Sequence, residues 1–192
     1  SQLLTPSSRA SLHAAVKLEG SLIARGMGRS YGDSANAHKV LETSYCNHFI
    51  EFDKYTGKLT AEAGITLRDI LTVIVPKGWF LSVTPGTSYV TLGGAIASDV
   101  HGKNHHIAGT FGQHIESLRI VLGTGEIVTT SLQENTDLFH ATCGGMGLIG
   151  VILSATIQLI PIRSSFITQR TIKADCIEAA CESFEDNSNA SY

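Results

Sequence analysis

Pro85-Gly-Thr-Ser-Tyr-Val-Thr-Leu-Gly-Gly-Ala-Ile-Ala-Ser-Asp-Val-His-Gly-Lys-Asn104 is the most informative stretch of this chain. It contains four glycines among small side chains (Gly86, Gly93, Gly94 and Gly102). Because glycine has no Cβ, such a segment lets backbone N–H groups come close to a large ligand. A second run of the same character, Arg25-Gly-Met-Gly-Arg-Ser-Tyr-Gly-Asp33, lies upstream. Two such elements in one chain predict a bound dinucleotide.

The bulk composition narrows the class of protein. A chain of 192 residues, 43% of them apolar, is long enough for one good core or for two small lobes that share a cleft. The net charge of −3 argues against a nucleic-acid-binding surface, which is normally basic. Glycine stands out, with 19 residues against a usual share of about 7%. Bound phosphates would therefore be held mainly by backbone amides.

Cysteine usage and hydropathy favour a soluble protein of a reducing compartment. The four cysteines, Cys46, Cys143, Cys176 and Cys181, form no CxxC pair, which favours reduced thiols. No basic segment followed by an apolar one opens the chain, so no signal peptide is visible. The apolar run from Leu148 to Ile162 is shorter than the roughly 20 residues that span a bilayer.

Periodicity predicts an α+β fold with many hairpins and short helices. Predicted helices cover Ser8 to Glu19, Leu67 to Pro76 with Thr66 as N-cap, Thr91 to Val100, and Glu134 to Ala141. Predicted strands cover Leu22 to Ala24, Phe49 to Asp53, Lys58 to Ala63, Trp79 to Val83, Ile115 to Leu122, Glu126 to Thr130, and Val151 to Ile160. The helix that starts at Thr91 would place free N–H groups beside Gly93 and Gly94.

The last stretch changes character. Phe166 to Lys173 is predicted to be a strand and Ala174 to Phe184 a helix, followed by a polar run. We interpret these two elements as the opening of another unit. The predicted organisation is residues 1–57 as one lobe, 58–165 as a second lobe, and 166–192 as the start of an incomplete further domain.

Gly145-Met-Gly-Leu-Ile-Gly150 matches the GxGxxG pattern, which indicates a dinucleotide only between a strand and a following helix. Here a predicted helix precedes the pattern and a predicted strand follows it, so we reject the Rossmann interpretation. Two alternatives remain open on spacing alone: a flexible turn into a core strand, or a backbone platform for a ligand ring.

Other polar clusters are weaker signals. His101, His105, His106 and His114 match no common metal-ligand spacing, so we predict no metal site. His105 and His106 are expected in a solvated loop, and His101 beside the ligand. Arg29 with Asp33 fits either a structural salt bridge or a loop that cradles a pyrophosphate, and the nearby glycines favour the loop. Asp53 and Glu62 are expected to have surface roles.

These motifs resemble the FAD-binding (PCMH-type) domain of the vanillyl-alcohol-oxidase superfamily. The resemblance runs from about Ser21 to Pro161. It rests on Ala24 to Asp33, Pro85 to Thr87, Thr91 to Ala97, Asp99 to His106, and Gly144 to Gly150. It implies two small α+β lobes with FAD extended between them. The His-Gly-Lys-Asn-His-His string is fairly specific to a sugar-oxidising branch of the superfamily.

The resemblance implies which residues contact the cofactor. The implied FAD contacts are Ala24, Arg25, Gly26, Met27, Gly28, Arg29, Ser30, Tyr31, Gly32, Asp33, Ser34, Gly86, Thr87, Thr91, Leu92, Gly93, Gly94, Ser98, Asp99, Val100, His101, Gly102 and Val151. Tyr31, His101 and Lys103 are implied on the substrate side. None is a convincing general base, and His101 is only the nearest candidate.

The implied reaction of the intact enzyme is oxidation of a secondary hydroxyl of a sugar or prenyl-phosphoryl sugar to a ketone, with hydride transfer to the flavin. An epimerase (reductase) partner is implied as well, and a cytoplasmic or peripherally membrane-associated location. Superfamily members that tether FAD through histidine often have His where this chain has Arg29, so we predict non-covalent FAD. Members also carry a substrate cap and a returning segment, so we expect residues 1–192 alone to bind FAD weakly and to lack oxidase activity. Alternatives are an aldonolactone or alditol oxidase, or a non-catalytic nucleotide-binding module.

Overall fold

The computed structural model describes residues 2–190, apart from the side chain of Glu19. The outermost positions of the predicted segments 1–57 and 166–192 lie outside the described residues. The strands are β1 (Gln2–Leu4), β2 (Ile23–Arg25), β3 (Lys39–Glu42), β4 (Phe49–Asp53), β5 (Lys58–Glu62), β6 (Trp79–Phe80), β7 (Ile115–Val121), β8 (Ile127–Ser131), β9 (Val151–Gln158) and β10 (Ile160–Pro161). The helices are α1 (Arg9–Glu19), α2 (Leu67–Ile74), α3 (Leu92–Ala97), α4 (His105–Ala108), α5 (Thr136–Thr142) and α6 (Ile177–Asp186).

The first sheet is small and parallel, in the order β1-β3-β2. α1 joins β1 to β2 and begins with a capping box, in which Ser8 and Ser11 bond each other's backbone N–H groups. The apolar side of α1 buries Leu12 and Val16 against Leu41 of β3 and Leu153 of β9. This contact fixes the small sheet beside the larger one.

The second sheet has five antiparallel strands in the order β4-β5-β9-β7-β8. The two predicted hairpins, β4–β5 and β7–β8, are both present, because each pairs alternating strands across a glycine-containing turn. α2 and α3 pack on this sheet and bury Ile70, Ile74, Leu92 and Ile96 in the main core. The fold is α+β, as predicted.

The change of sheet falls between β3 and β4. Since β4 pairs with β5 over the register Phe49–Ala61 to Asp53–Lys58, the predicted boundary between residues 57 and 58 lies inside one hairpin. A pairing of strands across a tight turn is one structural unit, so the sheet boundary belongs before Phe49. The division into two FAD-binding lobes otherwise stays a prediction.

Three element predictions were wrong in extent. The predicted strand from Trp79 to Val83 is paired only at Trp79 and Phe80, opposite the two residues of β10. Phe166 to Lys173 forms no strand and is exposed, because no neighbouring strand offers hydrogen bonds. The following helix, α6, begins at Ile177 and ends at Asp186. The sequence interpretation also missed β1 and β3.

No helix among residues 2–190 is long and apolar enough to cross a membrane. The four cysteines are free thiols, with Cys46 buried and Cys176 and Cys181 exposed.

Candidate functional site

Three backbone segments meet in one cleft between the two sheets. They are the loop after β2, the start of α3, and the loop between α5 and β9. The cleft has an empty volume of about 590 Å³ and is open to solvent. Its lining residues are Ala24, Gly26, Ser30, Ser34, Ala35, Thr43, Ala63, Thr91, Gly93, Gly94, Ala97, Ser98, Met146, Gly147, Gly150 and Ile152. None of these side chains is ionisable, so the cleft is shaped by small residues and backbone.

Thr91 joins the first two segments. Its side chain is 2% exposed and accepts a hydrogen bond from Gly94 N at 3.1 Å, which caps α3. The backbone of Gly26 lies directly against the Thr91 side chain, and a Cβ at Gly26 would overlap it. Only glycine therefore allows the loop after β2 to come this close to α3.

The first N–H groups of α3 are already used within the protein. Leu92 N donates to Ile65 O and Gly93 N to Ala63 O, both at 2.8 Å, while Gly94 N donates to Thr91. The expectation of free N–H groups beside Gly93 and Gly94 was therefore wrong. These bonds tie α3 to the segment after β5. The start of α3 therefore forms a wall of the cleft but offers a ligand no free hydrogen-bond donors.

The loop after β2 supplies the free donors instead. Within the described part of the chain, the backbone N–H groups of residues 27–34 donate no hydrogen bond. Gly28 and Gly32 have φ angles of 62° and 60°, in the region that favours glycine. Arg29 Nη1 donates to Met27 O at 2.7 Å, so its side chain closes the loop on itself, and no salt bridge to Asp33 forms among these residues. A run of unpaired N–H groups beside a cleft suits an anion.

The loop between α5 and β9 forms the third wall. Gly144 N donates to Ile96 O at 3.1 Å and Met146 N to Ala97 O at 2.8 Å, so the loop is fastened to the end of α3. Gly147 and Gly150 line the cleft, and among residues 2–190 their N–H groups donate no hydrogen bond. The predicted order, with a helix before this loop and a strand after it, is confirmed by α5 and β9.

Eight of the residues implied as FAD contacts line the cleft: Ala24, Gly26, Ser30, Ser34, Thr91, Gly93, Gly94 and Ser98. The implied contacts at Gly86 and Thr87 are exposed and do not line it, and Leu92 is fully buried in the core. The Val151 side chain is buried in the cluster around α1, while Gly150 and Ile152 on either side of it line the cleft.

Sequence reasoning left Ala35, Thr43, Ala63, Ala97, Met146, Gly147, Gly150 and Ile152 out of the site. For Gly147 and Gly150 a signal existed, because the rejected GxGxxG pattern still allowed a backbone platform. For Ala63 and Thr43 no sequence signal existed, because small residues are common within and just after strands.

The histidine-rich segment follows α3 in the sequence, but none of its histidines lines the cleft. His101 is exposed and pairs with Thr110 in an isolated bridge, and its ring stacks edge-on with that of His105 at 5.6 Å. His105 and His106 are exposed, as expected, but they lie in the short helix α4 and not in a loop. No group of three or more metal-ligating residues occurs in the described range.

Asp99 anchors the segment that follows α3. It has a φ of 40°, and its carboxylate accepts a hydrogen bond from Gly112 N at 2.7 Å. Burial, together with the nearby Asp99 carboxylate, raises the pKa of the Cys143 thiol to about 11. Cys143 is therefore protonated at neutral pH and is a poor nucleophile.

The expected surface role of Glu62 was wrong. Glu62 is 5% exposed and bonds both Arg9 and His48. Asp53 instead organises the β4–β5 turn, accepting hydrogen bonds from Tyr55 N and from the Thr56 side chain. These hydrogen bonds hold the pKa of Asp53 below its usual value, and the bond from the Thr56 side chain has the largest effect. Neither carboxylate lies on the cleft.

The free donors and the glycine-lined walls fit a long ligand with a central pyrophosphate, as FAD has. The family comparison agrees with this geometry. Residues 2–131 match the model of the FAD binding domain family, and the chain belongs to that family. The resemblance stated from the sequence is thereby confirmed.

The chain is 37% identical over 187 residues to decaprenylphosphoryl-beta-D-ribose oxidase of Mycolicibacterium smegmatis, covering 96% of this chain and 41% of that protein. It is 34% identical to L-gulonolactone oxidase of Mus musculus over 60% of this chain and 26% of that protein. With D-arabinono-1,4-lactone oxidase of Yarrowia lipolytica it shares 32% identity over 64% of this chain and 24% of that protein. The chain thus spans well under half the length of these relatives.

Proposed function

We propose that this chain is the cofactor-holding part of a flavin-dependent oxidoreductase that oxidises a secondary hydroxyl of a sugar, of the prenyl-phosphoryl pentose type, to a ketone. The observation that carries the proposal is the cleft in which the loop 27–34, with its free N–H groups, faces α3 across Gly26 and Thr91. The similarity to the mycobacterial oxidase, which extends over nearly the whole chain, supports the substrate class.

In this proposal the loop after β2 binds the pyrophosphate through backbone N–H groups, helped by Arg25 and Arg29 near its ends. The small walls, Ala63, Ala97 and Gly147, leave room for the rest of the cofactor. The remaining residues implied from the sequence stay in the proposed contact set, including Asp99, Val100 and Gly102 beyond α3. The two FAD-binding lobes predicted as residues 1–57 and 58–165 are proposed to act as two halves of the site, with their boundary moved to before Phe49 because β4 and β5 form one hairpin.

FAD, when bound, supplies the hydride acceptor that no side chain offers. The residues of this chain then have to orient the cofactor and exclude water. His101 and Lys103 are exposed on the segment after α3, and with Tyr31 they form the proposed substrate side. We assign the general base to none of the residues in this chain.

Attachment of FAD is proposed to be non-covalent. Superfamily members that tether FAD through histidine often have that histidine where the resemblance places Arg29 of this chain, and a guanidinium does not form that bond. Its side chain is exposed, and Nη1 donates a hydrogen bond to the Met27 carbonyl. We further propose a reductase partner that completes an epimerisation, and a cytoplasmic or peripherally membrane-associated location.

A second candidate is an aldonolactone or alditol oxidase. The relatives named as L-gulonolactone and D-arabinono-1,4-lactone oxidases favour it, over a smaller share of this chain. In both cases the cleft would hold FAD in the same way, so the substrate separates the two.

Turnover by the complete protein tests the proposal. Purified protein is mixed with a prenyl-phosphoryl pentose, an aldonolactone or a free alditol, and loss of the oxidised flavin absorbance is followed. We expect bleaching with the prenyl-phosphoryl pentose alone. Bleaching with the lactone or alditol alone would select the second candidate, and a flavin-free protein that FAD does not reconstitute would reject both.

A further inference from the structure

A second groove lies on the other side of the wall formed by β5 and β9. Glu62 and Leu153 line this groove, while their chain neighbours Ala63 and Ile152 line the FAD-binding cleft. Successive residues of a strand face opposite sides of a sheet, so the two sites are separate. The groove is bounded by the start of α1 and has an empty volume of about 960 Å³, open to solvent.

Glu62 is the buried centre of the groove. One oxygen of its carboxylate forms an ion pair with Arg9 Nε at 3.1 Å. The other oxygen accepts from the ring Nδ1 of His48 at 2.9 Å and from the His48 backbone N–H at 3.0 Å. Both oxygens of Glu62 are thus occupied, and the buried carboxylate orients the side chains of Arg9 and His48. One more cationic side chain lines the groove and forms no ion pair with Glu62.

Arg119 is that third side chain. It extends from β7, which lies between β9 and β8 in the five-stranded sheet, and lines the same groove. Among residues 2–190 its guanidinium forms no hydrogen bond or ion pair. Arg9 pairs with Glu62 through Nε, and in the described part of the chain its terminal amino groups donate no hydrogen bond. Two arginine forks therefore line one groove with free donors.

The charge of the groove is positive. Two arginines against one glutamate leave one net positive charge when His13 and His48 are neutral, and each protonated histidine adds one more. The protein as a whole has a net charge of −3, so this concentration of cations is local. His13 is held in place by a 2.7 Å contact between Nε2 and Gly125 O.

We propose that this groove binds the phosphate group of a small phosphorylated molecule, separately from FAD. A planar guanidinium group can donate two parallel hydrogen bonds to two oxygens of one phosphate. A ligand with two negative charges is attracted to several cations more strongly than a ligand with one carboxylate is. The groove is larger than one phosphate needs, which leaves room for the organic part of the ligand. Arg9 and Arg119 hold the phosphate, and Glu62 positions Arg9 and His48.

Titration of inorganic phosphate into the protein, with and without FAD, tests the site by calorimetry and NMR. We expect saturable binding that Arg119→Gln weakens by about tenfold or more, since a charge-assisted pair of hydrogen bonds is lost. Because Arg119 is exposed and unpaired within residues 2–190, the variant should keep its thermal unfolding temperature. Arg170→Gln, which removes an exposed arginine in the segment after β10, is the matched control and should bind phosphate like wild type.

Equal binding by wild type and Arg119→Gln, equal losses in both variants, or no saturable binding would overturn the proposal. Acetate at the same ionic strength should bind at least about tenfold more weakly than phosphate, and equal binding would reject the preference for a dianion. Failure of FAD to bind would reject the proposed function and leave this site standing, because the two ligands occupy different sides of the wall.

Discussion

At the scale of single residues, glycines and other small side chains give the cleft its shape. Glycine at position 26 lets the loop after β2 touch Thr91, and Gly147 and Gly150 present bare backbone on the opposite wall. No ionisable side chain lines the cleft, so we propose that charge on a ligand is met mainly by the N–H groups of residues 27–34. Affinity in such a site depends on loop conformation more than on any single cation.

The attachment of the cofactor is a residue-scale prediction. Because position 29 is arginine and the Cys143 thiol, whose pKa is raised to about 11, does not line the cleft, we expect FAD to leave the protein on denaturation. The measurement is acid precipitation of the purified yellow protein, followed by absorbance of pellet and supernatant. Flavin that stays in the washed pellet would contradict the prediction.

Sequence reasoning at this scale worked where glycine spacing carries the signal and failed where burial decides. Thr91, Gly93 and Ser98, which the glycine-rich stretch singled out, line the cleft, and their contact with FAD stays a prediction. Glu62 was misjudged, since a strand-end glutamate looks exposed until Arg9 from a distant helix is known to cover it. Long-range partners of this kind leave no local pattern.

At the scale of elements, α3 is short and depends on its cap. Thr66 caps α2 in the same way, accepting from Asp69 N at 3.1 Å, and the residues Thr66 and Thr91 pair in an isolated bridge. The two caps are chemically alike, but only Thr91 lines the cleft. They therefore form a natural pair for separating stability from cofactor binding.

We predict that Thr91→Val and Thr66→Val each lower the free energy of unfolding by about 1 kcal/mol, because each removes an N-cap hydrogen bond while keeping the side-chain volume. Thr91→Val should in addition weaken FAD binding, since loss of the hydrogen bond from Gly94 N loosens the start of α3, which forms one wall of the cleft. Denaturant unfolding and FAD titration of both variants check this. Equal FAD affinities of the two variants would show that the cap has no role in the cleft.

Element prediction succeeded for hairpins and capped helices and failed for isolated strands. The turns at Gly57 and Gly125 mark hairpins because both strands are adjacent in the chain. β1 and β3 pair with strands distant in sequence and are three and four residues long, so no local alternation identifies them. The segment from Phe166 to Lys173 has strand-like residues, yet no partner strand makes it one.

At the scale of the whole molecule, one wall of β5 and β9 separates two sites. The glycine-lined cleft lies on one side and the arginine-lined groove on the other. The chain spans 41% of the mycobacterial relative, and residues after Pro161 carry exposed apolar side chains such as Phe166 and Phe184.

We propose that the cleft between the loop after β2 and α3 binds FAD. Ser98 lines the cleft at the end of α3 and is exposed, so Ser98→Trp fills the cleft without disturbing the core, while Ser21→Trp adds the same bulk outside it. FAD is titrated into wild type and both variants, with flavin fluorescence as the signal. We expect Ser98→Trp to weaken binding by about tenfold or more and Ser21→Trp to match wild type. Unchanged affinity in Ser98→Trp, or no FAD binding by wild type, would contradict the account.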